Sequence, residues 1–234
     1  MSTESPSIAR ALTVAAESIH RPTSLEETLD TIVQSAVLAL PAFNHAGISI
    51  THRDGRIETM SGTDQMVWEF DQKQYELREG PCVESIRSDP VVVVEHARHD
   101  QRWPRYMPWA VQRGLRAQLG LRLYLESETL GGLNLYSTAS ETIDDESREM
   151  AELFATHAAI ALGRARKEDQ LNEAIATRKV IGQAIGIVSE RYQLTEDRAF
   201  QFLTRASQTS NIKLRTIAQE IVESTNEKYD RTQH

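Results

Sequence analysis

Between Ser207 and Arg215 the chain gathers a hydroxyl (Ser207), an amide (Asn211) and two cations (Lys213, Arg215). Hydroxyls and amides read base edges, while cations neutralise phosphates. The N–H groups opening the next helix also favour an anion. Ser207 and Asn211 have a second use, as helix-end caps. Upstream, Gln183 can read a base edge. Gly182 and Gly186 stand four apart on one helical face. Each costs roughly 1 kcal/mol there relative to Ala. Close approach would offset that cost, whether of nucleic acid or of another helix. Arg178, Arg191 and Arg205 complete the candidate contact set. Tyr192 can stack on a base or pack at a helix end, and Phe200 reads as core.

Cys82 is the sole cysteine and follows Pro81 at a helix start. A helix N-terminus lowers a thiol pKa, which makes Cys82 a candidate redox sensor. A buried structural thiol is the alternative. His96 and His99 have a spacing that permits metal binding, but no third ligand accompanies them, so no metal site is expected. Trp103, Tyr106 and Trp109 read as core. No nucleophile, base and oxyanion donor converge anywhere, so no catalytic residue is assigned and no enzyme is expected.

These groups sit in a 234-residue, 26.4 kDa chain of net charge -8, which excludes a uniformly basic nucleic-acid coat. Residues 171–222 nonetheless hold seven basic against five acidic side chains. A single cysteine excludes an intramolecular disulfide framework and multi-cysteine zinc sites. The first residues lack the basic and apolar regions of a signal peptide. No apolar run reaches the roughly 18–20 residues of a membrane span. The expectation is a reduced, cytoplasmic protein without membrane contact.

Two periodicities position the candidate groups. Ser5–His20 and Ser24–Leu40 step by three and four and predict helices, the second capped by Thr23 or Ser24. His45–Thr51 alternates, the turn Arg53-Asp54-Gly55-Arg56 follows, and Ile57–Met60 completes a hairpin. Thr63–Glu79 predicts a helix that Glu79-Gly80-Pro81 breaks. Val91–Glu95 is a short strand. Leu119, Leu121, Leu123 and Leu125 share one parity and pair with Leu130–Leu135 as half-buried antiparallel strands. Phe154, Ala158, Ala161 and Ala165, continued by Leu171 and Ile175, form an apolar seam through a charged, proline-free connector. That seam predicts a homodimeric coiled coil. Thr195 caps a helix whose inner face holds Ala199, Phe200, Leu203 and Ala206. Ser207–Asn211 is a polar break. Leu214, Ile217, Ala218, Ile221 and Val222 mark a last amphipathic helix, and Ser224–His234 reads as a frayed tail.

The run Arg178–Val222 resembles the ANTAR domain. The likeness rests on Gly-Gln-Ala-x-Gly at Gly182–Gly186, Ala199–Phe200, Leu-x-Arg-x-Ser at Leu203–Ser207, and Ser-Asn-x-Lys-Leu-Arg at Ser210–Arg215. The resemblance implies a bacterial three-helix RNA-binding module of transcription antitermination regulators. Its dimer grips two stem-loops with six-base loops, so that an overlapping terminator does not form and the transcription machinery is affected only indirectly. Ile185 stands where many members carry Lys, which removes one phosphate contact from the implied set. The segments His45–Ile50, Tyr75–Cys82, Trp103–Tyr106, Gly132–Ser137 and Phe154–Leu162 resemble a GAF domain. That fold is implied to be an antiparallel sheet with helices on one face and a small-molecule pocket on the other. No cofactor is specified.

The expected organisation is an α+β GAF-like sensory domain over 1–162, a helical connector over 163–170, an all-α three-helix ANTAR domain over 171–222, and a polar tail over 223–234. A DNA-binding regulator with a sensory domain is the alternative. It would need a longer, less apolar recognition helix than Lys213–Val222 offers. A GAF enzyme with a dimerising tail is a third reading, and it lacks a catalytic constellation.

Overall fold

The computed structural model describes residues 24–125 and 128–232. The helix expected over Ser5–His20 lies outside the described residues. The chain divides into two compact units, Met1–Lys167 and Glu168–His234.

In the first unit, α1 (Leu25–Ala39) begins where Ser24 Oγ accepts the Glu27 N–H at 3.1 Å. β1 (His45–Thr51) and β2 (Ile57–Gly62) form the expected hairpin. α2 (Gln65–Leu77), α3 (Pro81–Arg87), β3 (Val91–Val94), a 3-10 turn at Ala97–His99 and α4 (Tyr106–Gln112) follow. β4 (Ala117–Leu125) and β5 (Glu128–Ser137) close the sheet in the order β2-β1-β5-β4-β3, every pair antiparallel. Ile48 faces Leu133, which also faces Leu121, so three strands put apolar side chains in one row.

That row belongs to a core closed by α1 and the first turns of α5 (Asp145–Tyr192). Ile32, Val33 and Ala36 of α1 and Phe154, Ala158 and Leu162 of α5 are essentially fully buried in it. Each large side chain so buried contributes roughly 1.5–3 kcal/mol. The seam expected to form a coiled coil therefore has another use. Phe154, Ala158 and Ala161 belong to the core that the chain forms with its own sheet, and Ala165 is also buried.

The sheet is not half-buried as its alternation predicted. Ala117 to Leu121 are all buried, because α2, α3 and α4 cover the second face. Gly120 permits that covering: a Cβ there would stand 2.7 Å from the Pro81 carbonyl oxygen, so α3 rests directly on the strand backbone. Gly80 adopts φ 115° to turn the chain into α3, a conformation open chiefly to glycine.

In the second unit, α5 runs on to Tyr192, so the 163–170 connector is helical. α6 (Glu196–Ser210) and α7 (Leu214–Thr232) complete three helices. Ala184 and Val188 of α5, Ala199 and Leu203 of α6 and Ala218 of α7 form the buried centre. Three alanines among these five let the helices approach closely.

Four local expectations change. Thr195 holds the N-cap position of α6, but its hydroxyl makes no capping bond. Phe200 is 45% exposed rather than core. The polar stretch Ser207–Ser210 stays helical, with the Ser210 hydroxyl donating to the Ala206 carbonyl at 2.8 Å. The helix extends through residues 223–232 instead of fraying at Ser224. That stretch contains neither Gly nor Pro, so an established helix propagates through it.

Candidate RNA-binding surface and sensory core

The corner between α6 and α7 is built by backbone requirements. Asn211 adopts φ 55° and ends α6 in the left-handed region, which Asn tolerates better than most residues. The Ser207 hydroxyl donates to the Ile212 carbonyl at 2.5 Å and closes the loop. Asn211 therefore acts as the C-cap of α6, while Ser207, still inside the helix, ties down the loop that follows. The Lys213 carbonyl accepts the N–H groups of Thr216 (2.9 Å) and Ile217 (3.2 Å), which places Lys213 at the N-cap of α7. Its side chain makes no hydrogen bond or ion pair among the described residues. Arg215 Nη1 donates to Glu173 Oε1 at 2.6 Å, in a pair whose two side chains are about half exposed or more. Such pairs contribute about 0–1 kcal/mol, so a phosphate can displace the carboxylate.

Gly182 and Gly186 face away from Ala184 and Val188, and a Cβ at either would meet nothing within 4 Å. Packing against another helix of this unit is thereby excluded as their role. Leu171 (61% exposed) and Ile175 (57% exposed) lie on the same face of α5. Gln183, Arg178 and Arg205 are exposed. The Arg191 guanidinium reaches the Thr225 hydroxyl at 3.4 Å. Thus Ser207, Asn211, Lys213 and Arg215 share the α6–α7 corner, whereas Arg178, Gln183, Gly186 and Arg191 are distributed along α5. Ile185 packs against the three-helix centre. Sequence reading missed an exposed aromatic pair, Tyr192 and Phe202, with ring centroids 5.7 Å apart. Its members come from two elements, so no spacing announces it.

On the covered second face of the sheet lies a buried polar cluster centred on Asp71. Its carboxylate accepts hydrogen bonds from the Thr59 hydroxyl (2.8 Å), the Asn134 amide (3.0 Å) and the Tyr136 hydroxyl. Burial pushes the carboxyl up to about 6, against the downward pull of those donors. The Tyr75 hydroxyl joins the cluster through Ser49 Oγ (2.7 Å) and Thr59 Oγ1 (2.8 Å). Gln74 bridges it to α3: its amide donates to Tyr136 Oη at 3.2 Å and its carbonyl accepts the Cys82 N–H at 2.9 Å. Asp71 and Gln74 sit in phase with Val67 and Phe70 on α2. Two polar residues on an apolar stripe were the signal for this cluster.

Cys82 lies against the same cluster and is fully buried. The expected lowering of its thiol pKa is reversed. Burial, and secondarily the Asp71 charge, push it up to about 12, which keeps the thiol protonated. Trp103 and Tyr106 are core as expected. His96 and His99 join no group of potential metal ligands among the described residues. No described helix is long and apolar enough to cross a membrane.

Two open grooves flank Tyr75 at the β2 edge of the sheet. One, of about 500 Å³, is lined by Thr59, Trp68, Gln72 and Glu76. The other, of about 360 Å³, is lined by Arg56, Ile57, Val83 and two further arginines, Arg78 and Arg87. These grooves open at the edge of the sheet, and on its second face the Asp71 cluster occupies space beneath the strands.

Comparison with known proteins gives concordant results. Residues 22–163 match the family model of the GAF domain, and residues 169–222 match that of the ANTAR domain. No curated protein matches the chain. Among solved structures, the GAF domain of a phosphoenolpyruvate-protein phosphotransferase from Coxiella burnetii is similar over 70% of this chain and 96% of its own. The identity is 19% and the TM-score 0.56. The GAF domain of the corresponding Acinetobacter protein covers 71% of this chain and 97% of its own at 14% identity and TM-score 0.54. The photosensory core module of the Stigmatella aurantiaca phytochrome covers 89% of this chain at 11% identity and TM-score 0.58, with 45% of its own length matched. At these identities the likeness concerns the fold.

Proposed function

We propose, on the premise that this chain belongs to the GAF domain family and carries an ANTAR domain behind it, that it is a non-catalytic RNA-binding antitermination regulator under sensory control. Its target is a pair of stem-loops with six-base loops in nascent transcript, held against an overlapping terminator. The α6–α7 corner carries this reading, with Lys213 free among the described residues and Arg215 held only by an exposed ion pair. Ser207 and Asn211 contribute by fixing the loop that presents those cations. Sequence-specific RNA readers address unpaired loop bases more readily than A-form grooves, and exposed Gln183 and Gly186 on α5 provide an adjacent contact surface. Arg178, Arg191 and Arg205 supply phosphate contacts.

The active species is a homodimer in the bacterial cytoplasm. The face of α5 bearing Leu171, Ile175, Gly182 and Gly186 is exposed, and the three-helix unit has only five fully buried apolar residues in its centre. Burial of that face against a second copy would add the apolar area a small unit lacks. The sensory unit acts by favouring one arrangement of the two readers, and its ligand shifts RNA affinity only by its differential affinity for the two states.

The DNA-binding alternative gains one point, because α7 has 19 residues and is not short. Competition separates the two. Labelled RNA with two hexaloop hairpins should be displaced by the same unlabelled RNA and not by duplex DNA of equal length. Equal displacement by DNA would assign the protein to the alternative.

A further inference from the structure

We infer that the groove between the β1–β2 turn and the α2–α3 corner is a binding site for a small ligand carrying a carboxylate or phosphate, held by Arg56, Arg78 and Arg87. Three guanidiniums line this groove of about 360 Å³, and the one carboxylate lining it belongs to Asp54. That carboxylate is already engaged, accepting the Arg56 N–H at 3.0 Å within the turn. Arg56 also pairs with Glu58 at 2.8 Å. The side chains of Arg78 and Arg87 make no hydrogen bond or ion pair among the described residues. Arg78 and Arg87 thus bring two unpaired guanidiniums to one concavity, beside an Arg56 already paired with Glu58, and two such like charges repel each other. An anion relieves that repulsion and accepts the charge-assisted, forked hydrogen bonds that guanidiniums offer.

The backbone supplies a second observation. Arg78 ends α2 at φ 55°, its N–H bonded to the carbonyls of Gln74 and Tyr75. That left-handed position is usually glycine, because a Cβ crowds the following carbonyl oxygen. Arg at such a position is accounted for when its guanidinium is needed at the groove. Ile57, Val83 and the Tyr75 ring give the ligand's remaining atoms apolar walls. The occupant best matched to a groove of this size and lining is thus a small organic anion.

Tyr75 connects this site to the interior. It lines both grooves, and its hydroxyl bonds Ser49 and Thr59, the latter bonded in turn to Asp71. An occupant pressing on Tyr75 therefore acts on the buried cluster under the sheet. Only this signalling step rests on the sensory role proposed above; binding itself does not.

The test titrates the full-length protein with two probes, glycerol 3-phosphate and succinate, and follows the arginine side-chain resonances by NMR. Saturable shifts at Arg56, Arg78 and Arg87 are expected. The probe that saturates at lower concentration distinguishes phosphate from carboxylate as the natural group. Arg78→Gln and Arg87→Gln each weaken binding about tenfold, the equivalent of one charge-assisted hydrogen bond of about 1.5 kcal/mol. Arg113→Gln, whose guanidinium lies 4.1 Å over the Trp109 ring away from the groove, leaves binding unchanged. No saturable shift with either probe, or equal shifts at Arg98 and Arg113, overturns the site. Groove binding that leaves RNA affinity unchanged supports the site and overturns instead its sensory role.

Discussion

Asp71 makes the stability of the first unit depend on pH in a direction opposite to that of most carboxylates. In the unfolded chain its carboxyl releases a proton near 3.8, and in the folded protein near 6. Between those values the folded state binds more protons than the unfolded state, so stability falls as pH rises. The contribution is fully present below 3.8 and lost above about 6. At 1.36 kcal/mol per pH unit the span corresponds to about 3 kcal/mol. Asp71→Asn removes the titration and provides the reference. Trp68, Trp103 and Trp109 all lie in the first unit, so tryptophan fluorescence during urea unfolding reports on it alone. Wild type should lose about 2 kcal/mol of that span relative to Asp71→Asn between about pH 4 and about pH 7.5. A constant difference would show that Asp71 does not titrate there. A difference that moves in wild type's favour with rising pH would show that the Thr59, Asn134 and Tyr136 donors outweigh burial.

Three further outcomes are expected. Lys213→Ala and Arg215→Ala should each weaken RNA binding and lower the salt slope by about 0.7–0.9, the value of one phosphate contact, whereas Glu173→Ala should strengthen binding by releasing Arg215; filter binding at several salt concentrations measures both. Leu203→Ala, at a fully buried position, should destabilise the three-helix unit by about 2–5 kcal/mol, seen as an early loss of helical circular dichroism with tryptophan fluorescence unchanged. Two alanines inserted after Arg166 turn the following residues by about 200° and should abolish ligand control of RNA binding; retained control would make the connector a passive tether.

The sequence was most legible where one periodicity met one environment. α1, the β1–β2 hairpin and the β4–β5 pair occupy the expected segments, and α1, β1, β4 and β5 each present apolar side chains to the core shared with α5. Alternation along β4 misled about the second face, since Gln118 and Gly120 fall on the parity opposite the leucines. Gln118 accepts the Tyr106 hydroxyl at 3.0 Å under α4, and Gly120 lies against Pro81. The seam of α5 was read correctly as apolar, but spacing does not name the partner, and the sheet takes the stretch from Phe154 to Leu162. Composition also failed at helix ends. Ser207–Ser210 is polar, yet the Ser210 hydroxyl turns back onto the helix's own carbonyls. In the candidate site, Asn211 was legible as a cap and Lys213 and Arg215 as cations at the start of a helix, whereas the Arg215–Glu173 pair and the bond from Ser207 to the Ile212 carbonyl were not. The arginine groove was not legible, because Arg56, Arg78 and Arg87 come from three separate segments that only the fold brings together.

The most direct measurement of the central claim is single-round transcription on a template whose leader encodes two hexaloop hairpins, the second overlapping an intrinsic terminator. Addition of the protein should raise the fraction of full-length transcript, and Lys213→Ala/Arg215→Ala should lose most of that gain. Read-through that is unchanged by the protein, or raised equally on a template whose hexaloops have been replaced, would contradict the account.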